Sequence, residues 1–248
     1  MLIQMTLEKL RLMKLTGMAK GLEEQMATPD AAALSFDSRI GLLVDREESD
    51  RNNRRLLSRL KTAKPREQAF IEDIDYSANR GLDKSVILSL AGCEWLRHHQ
   101  NVLITGATGV GKTFLGCALL QAACRAGFTA RYVRVPRLLQ EIAIAKGDGS
   151  YSRLLAAYAK TDLLLLDDWG LAPMNSDAAR DILEIVEDRY NARSSIIISQ
   201  VPPEKWYELI SDPTLADAIL DRVIHRSHKL ALKGPSMRKE RAKPKASA

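Results

Sequence analysis

The residues with the most specific chemistry are Gly106, Ala107, Thr108, Gly109, Val110, Gly111, Lys112 and Thr113. Their spacing, G-x-x-x-x-G-K-[ST], is that of a loop that cradles nucleotide phosphates. Glycines let the backbone turn tightly and approach a phosphate with no Cβ in the way. The amides from Ala107 to Thr113 can then form a concave nest for an anion. Lys112 brings a cation to the β- and γ-phosphates, and the Thr113 hydroxyl ligates Mg²⁺. Phe114 ends this nucleotide-binding stretch and leads into a helix whose positive N-terminal end faces the same anion.

Two further stretches complete the chemistry. Leu163 to Asp168 is an apolar run ending in two acids. About fifty residues after a phosphate loop, the first acid, Asp167, is placed to hold Mg²⁺. The next, Asp168, is placed to orient and deprotonate an attacking water. An apolar run ending in Asp would alone read as a strand-end turn cap. Ser199-Gln200 closes another apolar run, where the Gln200 amide can read a γ-phosphate or its water.

The elements that must position these groups are legible around them. Asn101 to Thr105 reads as a buried strand entering the loop, and Phe114 to Ala126 as the helix leaving it, ended by Gly127. Thr129 to Val135, Asp162 to Asp168, Ser195 to Val201 and Lys229 to Leu232 read as further strands. Helices are expected from Asp83 through Arg97, and over 137–146 with Pro136 at its start. Others are expected over 151–160, over 177–192 capped by Ser176, over 204–210 and over 215–226. Continuous apolar strands alternating with helices predict an α/β fold with a parallel sheet covered on both faces.

The N-terminal part is different. Residues 6–27 read as one amphipathic helix, with Leu7, Leu10, Leu15, Met18, Leu22 and Met26 near one face. A second helix runs from Ser35 or Phe36 to about Ala63. Its middle, Asp45 to Arg55, is almost wholly charged or polar and should face water or a partner. Arg51 to Arg66 offers a possible basic surface, although the nearby acids fit plain solvation. Pro65 ends the helix, so the expected organisation is a helical domain over 1–66 and a nucleotide-binding domain over 67–248.

Composition sets the bounds. The 248 residues are 46% hydrophobic and 27% charged, ordinary for a soluble globular protein. No apolar run is long enough for a membrane span, and the start has no signal-peptide core, so the expected location is cytoplasmic. Cys93, Cys117 and Cys124 lack metal spacing and read as free core thiols. The net charge is +6. From Arg222 onward there are nine Lys or Arg against Glu240 alone, so this end carries +8 and the rest −2. A basic end suits nucleic acid, although charge alone slightly favours a solvated tail.

Taken together, the motifs resemble AAA+ ATPases of the DnaA/DnaC clade, and most closely the IstB-type transposition helpers of insertion sequences. The resemblance runs from about Leu7 to Lys239. It rests on Leu15-Thr16-Gly17-Met18-Ala19, the phosphate loop, Asp167 to Pro173, Ser199-Gln200, Asp221-Arg222 and Ser236-Met237-Arg238-Lys239. It implies Gln200 as sensor 1, where Asn is more usual, Arg222 as an arginine finger given to a neighbour's ATP, and Arg238 as sensor 2. Asp168 stands where many AAA+ proteins carry Glu. The family implies ATP and Mg²⁺ as cofactors, homo-oligomers with ATP at subunit interfaces, double-stranded DNA as a ligand and a transposase as partner. A DnaC-like helicase loader binding single-stranded DNA is the alternative. A metabolic kinase would leave the helical N-terminal part and the basic tail without a role.

Overall fold

The computed structural model describes residues 2–76 and 80–237. The chain divides into two compact units, Met1–Ser58 and Arg59–Ala248. Among the described residues, no helix is long and apolar enough to cross a membrane.

The first unit holds α1 (Leu2–Leu12), α2 (Thr16–Ala27) and most of α3 (Phe36–Ala63). The single helix expected over 6–27 is therefore two. Lys14 adopts a left-handed φ of 60° and breaks the run. The gain lies in how α2 begins. The Glu47 carboxylate on α3 accepts from the amides of Gly17 at 2.7 Å and Met18 at 3.1 Å. Thr16 Oγ1 donates to Asp50 at 2.9 Å. Acids at a helix N-terminus satisfy its unpaired amides and meet its positive dipole end.

Gly17 is required for this approach, because a Cβ there would lie 2.6 Å from Glu47 Cα. The charged middle of α3 thus does not simply face water: Glu47 is 6% exposed. Burial works against its ionisation, but Arg51 and the two amides outweigh it and hold the carboxyl below its ordinary range. Arg51 and Arg54 pair with Glu47 and Asp50, so these two members of the expected basic surface over Arg51 to Arg66 are neutralised by acids of their own helix.

The second unit is built on a five-stranded sheet in the order β2-β3-β4-β1-β5. The strands are β1 (Asn101–Gly106), β2 (Ala130–Arg134), β3 (Leu163–Trp169), β4 (Ser194–Ser199) and β5 (Ser227–Leu232). All their pairings are parallel. The helices are α4 (Lys84–Ala91), α5 (Glu94–Arg97), α6 (Lys112–Arg125), α7 (Val135–Gly147), α8 (Tyr151–Lys160), α9 (Ser176–Arg189) and α10 (Pro213–Ile224).

The apolar strand runs are buried on both faces. Leu103, Leu164, Leu166 and Ile197 join residues of α7, α8, α9 and α10 in one core. Leu165 and Ile198 face α6, which approaches so closely that a Cβ on Gly116 would lie 2.7 Å from Ile198 Cδ1. Each such side chain taken from water contributes about 1.5–3 kcal/mol.

Some element ends differ from expectation. The helix expected through Arg97 is interrupted at Cys93, which takes a left-handed φ of 63°. Asn175, not Ser176, caps α9, accepting from the Ala178 amide at 2.9 Å. Residues 204–210 form two 3₁₀ turns rather than one helix. Cys117 and Cys124 are buried on α6, and burial pushes both thiols up to about 11. They are core side chains.

Candidate functional site

The sheet order puts the C-terminal ends of β1, β4 and β3 side by side, and each delivers part of the site. The β1 end opens into the phosphate loop. Gly106, Gly109 and Gly111 have φ of 144°, 87° and 98°. These values favour glycine, and a Cβ on Gly106 would also lie 2.2 Å from the Leu232 carbonyl oxygen. Gly111 is the N-cap of α6, so Lys112 and Thr113 stand on its first turn. Lys112 Nζ donates to the carbonyls of Gly106 at 2.7 Å and Ala107 at 2.8 Å. The loop is thereby shaped around its own cation.

The β3 end brings Asp167 to Thr113, whose Oγ1 donates to Asp167 Oδ2 at 3.0 Å. Two oxygens about 3.0 Å apart can be neighbours in the octahedral shell of Mg²⁺, whose bonds are ~2.0–2.1 Å. A hydroxyl and a carboxylate are the hard oxygen donors this ion takes, so the pair fits it. Asp167 is 1% exposed and fully engaged. Its Oδ2 also accepts from the Tyr132 hydroxyl at 2.9 Å, and its Oδ1 from the Asp168 amide at 2.8 Å. The Arg66 guanidinium lies 3.8 Å from Oδ2. Burial pushes the Tyr132 hydroxyl pKa up, and the Asp167 charge adds to this. The hydrogen bond to Tyr132 and then the charges of Asp167 and Asp168 push Arg66 up.

Asp168 follows in a left-handed conformation, φ 59°. The Arg134 guanidinium at the end of β2 pairs with its Oδ2. Trp169 anchors the turn after it. Its ring is buried against Trp206, with centroids 5.5 Å apart, and its carbonyl accepts from Ser199 Oγ at 2.8 Å. From the β4 end, Gln200 Oε1 accepts from the Thr108 hydroxyl at 2.8 Å, which places the amide between the loop and the acid pair. Thr108, Lys112, Thr113, Arg134, Asp167, Asp168 and Gln200 line one cavity of about 470 Å³, in the size range of small-ligand sites.

Other expected site residues lie elsewhere. Arg222, on α10, does not line this cavity. The Arg222 carbonyl is 3.5 Å from Asn101 Nδ2 at the start of β1, the opposite end of the strand from the loop. Its guanidinium pairs with Glu187 at 2.9 Å and donates to the Ala218 carbonyl at 2.8 Å. Arg226, one turn on, is exposed and donates to Asn191 Oδ1 at 3.1 Å. Arg238 lies outside the described residues, as does the basic stretch after it. The Ser-Met of the same motif does reach the loop: the Met237 amide donates to the Gly109 carbonyl at 2.9 Å.

Sequence reading missed Arg66, Arg80, Tyr132 and Arg134, all of which line or support the cavity. The only signal was the period of two between Tyr132 and Arg134, which places both on one face of β2.

Comparison with known proteins gives the family and the fold. The chain is 48% identical over 239 residues to an insertion sequence ATP-binding protein of Sinorhizobium fredii, covering 96% of this chain and 98% of that one. Its fold is similar to a crystal structure of DnaI, with TM-score 0.59, 18% identity and coverage of 67% and 92%. It is likewise similar to a crystal structure of the DnaC helicase loader, with TM-score 0.56, 20% identity and coverage of 66% and 97%. With a family match spanning residues 7–246, the chain belongs to the IstB-like ATP binding proteins.

Proposed function

We propose that this protein is an ATP-hydrolysing helper of an insertion-sequence transposase, assembling on double-stranded target DNA. The observation that carries the hydrolysis is the convergence of Lys112, Thr113, Asp167, Asp168 and Gln200 on one cavity. The loop amides and Lys112 bind the phosphates. Thr113 and Asp167 would hold Mg²⁺, which would supply positive charge to offset that of the phosphates. Asp168 receives the proton of the attacking water. One of its oxygens is engaged by Arg134, so the other faces the water or Arg134 lets go. Gln200 orients the water or the γ-phosphate, and Arg238 serves as sensor 2 in this reading.

An arginine at the start of the strands cannot reach the cavity at their ends within one chain. Arg222 therefore acts, in this reading, on a neighbouring subunit's ATP. That fits a homo-oligomer with nucleotide at its interfaces. Arg226 is a second candidate for the finger, favoured by its exposure and by a guanidinium that makes one hydrogen bond among the described residues, where Arg222 is held by Glu187.

The insertion-sequence relatives support a transposase partner and DNA. The excess of Lys and Arg from Arg222 onward has no Phe, Trp or Tyr among it. Such a segment suits duplex phosphates better than stacked single-stranded bases. The test is duplex against single-strand affinity over a salt series, with and without ATP. Duplex binding that weakens with salt and strengthens with ATP is expected. A preference for single strands would favour the helicase-loader reading.

A further inference from the structure

The cavity holds a cation that the reading above does not use. Arg80 is 6% exposed and lines the same cavity as Gly109, Gly111 and Lys112. Its Nη1 lies 3.0 Å from where a Cβ on Gly111 would stand, so it rests directly against the N-cap of α6. Its Nη2 donates to the Asp75 carbonyl. Its Nε is buried with no hydrogen-bond partner. The backbone is fixed as well: the Arg80 carbonyl accepts from the Lys233 amide at 2.9 Å, just past β5. The neighbouring Gly81, at φ 70°, packs against the Ala231 carbonyl.

A buried guanidinium with an unsatisfied N–H is costly unless something supplies acceptors and negative charge. A polyphosphate seated on the Gly111 to Thr113 amides supplies both, next to this group. We infer that Arg80 is a second phosphate-binding cation of the nucleotide site, reading the part of the polyphosphate that ATP and ADP share, from the Gly111 side of the loop. The assignment rests on the nucleotide reading of the cavity and adds a residue to it. Arg suits the task better than Lys because its planar fork can hold two phosphate oxygens while bracing Asp75.

The experiment compares the wild type with Arg80→Gln and Arg80→Lys in the full chain. Binding of ATP, ADP and inorganic tripolyphosphate is measured by calorimetry, and thermal unfolding without ligand is recorded alongside. Arg80→Gln is expected to weaken all three ligands by a similar factor, about 10- to 150-fold for one lost charge-assisted hydrogen bond. Arg80→Lys should recover part of this. Unchanged affinities in a variant that merely melts earlier overturn the assignment and leave Arg80 as a brace. Loss for ATP and ADP with tripolyphosphate unaffected also overturns it, since the contact would then be to the nucleoside. A wild type that binds none of the three overturns the nucleotide reading and this one with it.

Discussion

In the proposed site Arg66 and Mg²⁺ would compete for the same oxygen, and removing the arginine gives a measurable test. Arg66 Nη1 stands 3.8 Å from Asp167 Oδ2, the atom that also accepts from Thr113. Two unit charges at about 4 Å interact by about 4 kcal/mol at an effective dielectric of ~20. The Arg66 side chain is 44% exposed, so solvent screening reduces this to about 1 kcal/mol. A metal ion bound to Thr113 and Asp167 must overcome that attraction. Arg66→Ala should therefore tighten Mg²⁺ binding in the nucleotide complex by about fivefold, the equivalent of ~1 kcal/mol. Arg66→Lys, which keeps the charge, should stay near the wild type. The assay is a Mg²⁺ titration followed by tryptophan fluorescence, since Trp169 follows Asp168 directly and is buried. A midpoint that is unchanged, or moved to higher Mg²⁺, refutes the competition. The second outcome would make Arg66 a phosphate contact instead.

Lys112→Ala should weaken ATP by about 10- to 150-fold through one lost charge-assisted bond, with the fold intact; equilibrium binding and thermal unfolding check this. Asp168→Asn should leave ATP binding in place and stop phosphate release, whereas Asp167→Asn should raise the Mg²⁺ needed for ATP binding. For the finger, subunits carrying Lys112→Ala are mixed with subunits carrying Arg222→Ala or Arg226→Ala. Recovered hydrolysis at shared interfaces identifies an arginine acting in trans, worth about 10³–10⁵ in rate when engaged. Mixed oligomers that form and recover nothing with either variant argue against it. Gly17→Ala drives a Cβ to 2.6 Å from Glu47 Cα and 2.7 Å from the Arg46 carbonyl oxygen. It should destabilise the helical unit by about 1–3 kcal/mol, read as faster hydrogen exchange in α2.

The sequence by itself determined the phosphate loop, the apolar strands and the acid pair. Each of these is written in consecutive residues whose spacing follows from backbone geometry. Gly106 to Thr113 has the spacing of a loop that turns around a phosphate, and Leu163 to Leu166, an apolar run alternating with helical stretches, reads as a strand buried on both faces. The position of Gln200 between loop and acids was legible too, because an apolar strand ending in a polar pair has one place to go in such a sheet.

Only the tertiary structure decided what surrounds Asp167 and Asp168. Tyr132 and Arg134 meet these acids because β2 pairs with β3, with Arg134 opposite Asp167 in register. Nothing local to β2 records that pairing. Arg66 and Arg80 come from irregular segments that carry no periodicity to read. The same holds for Glu47, buried in a charged stretch that pattern alone assigns to water. It is buried because a helix break thirty residues earlier aims two amides at it. Spacing along the chain fixes which groups a segment presents, and long-range packing fixes which charges they meet.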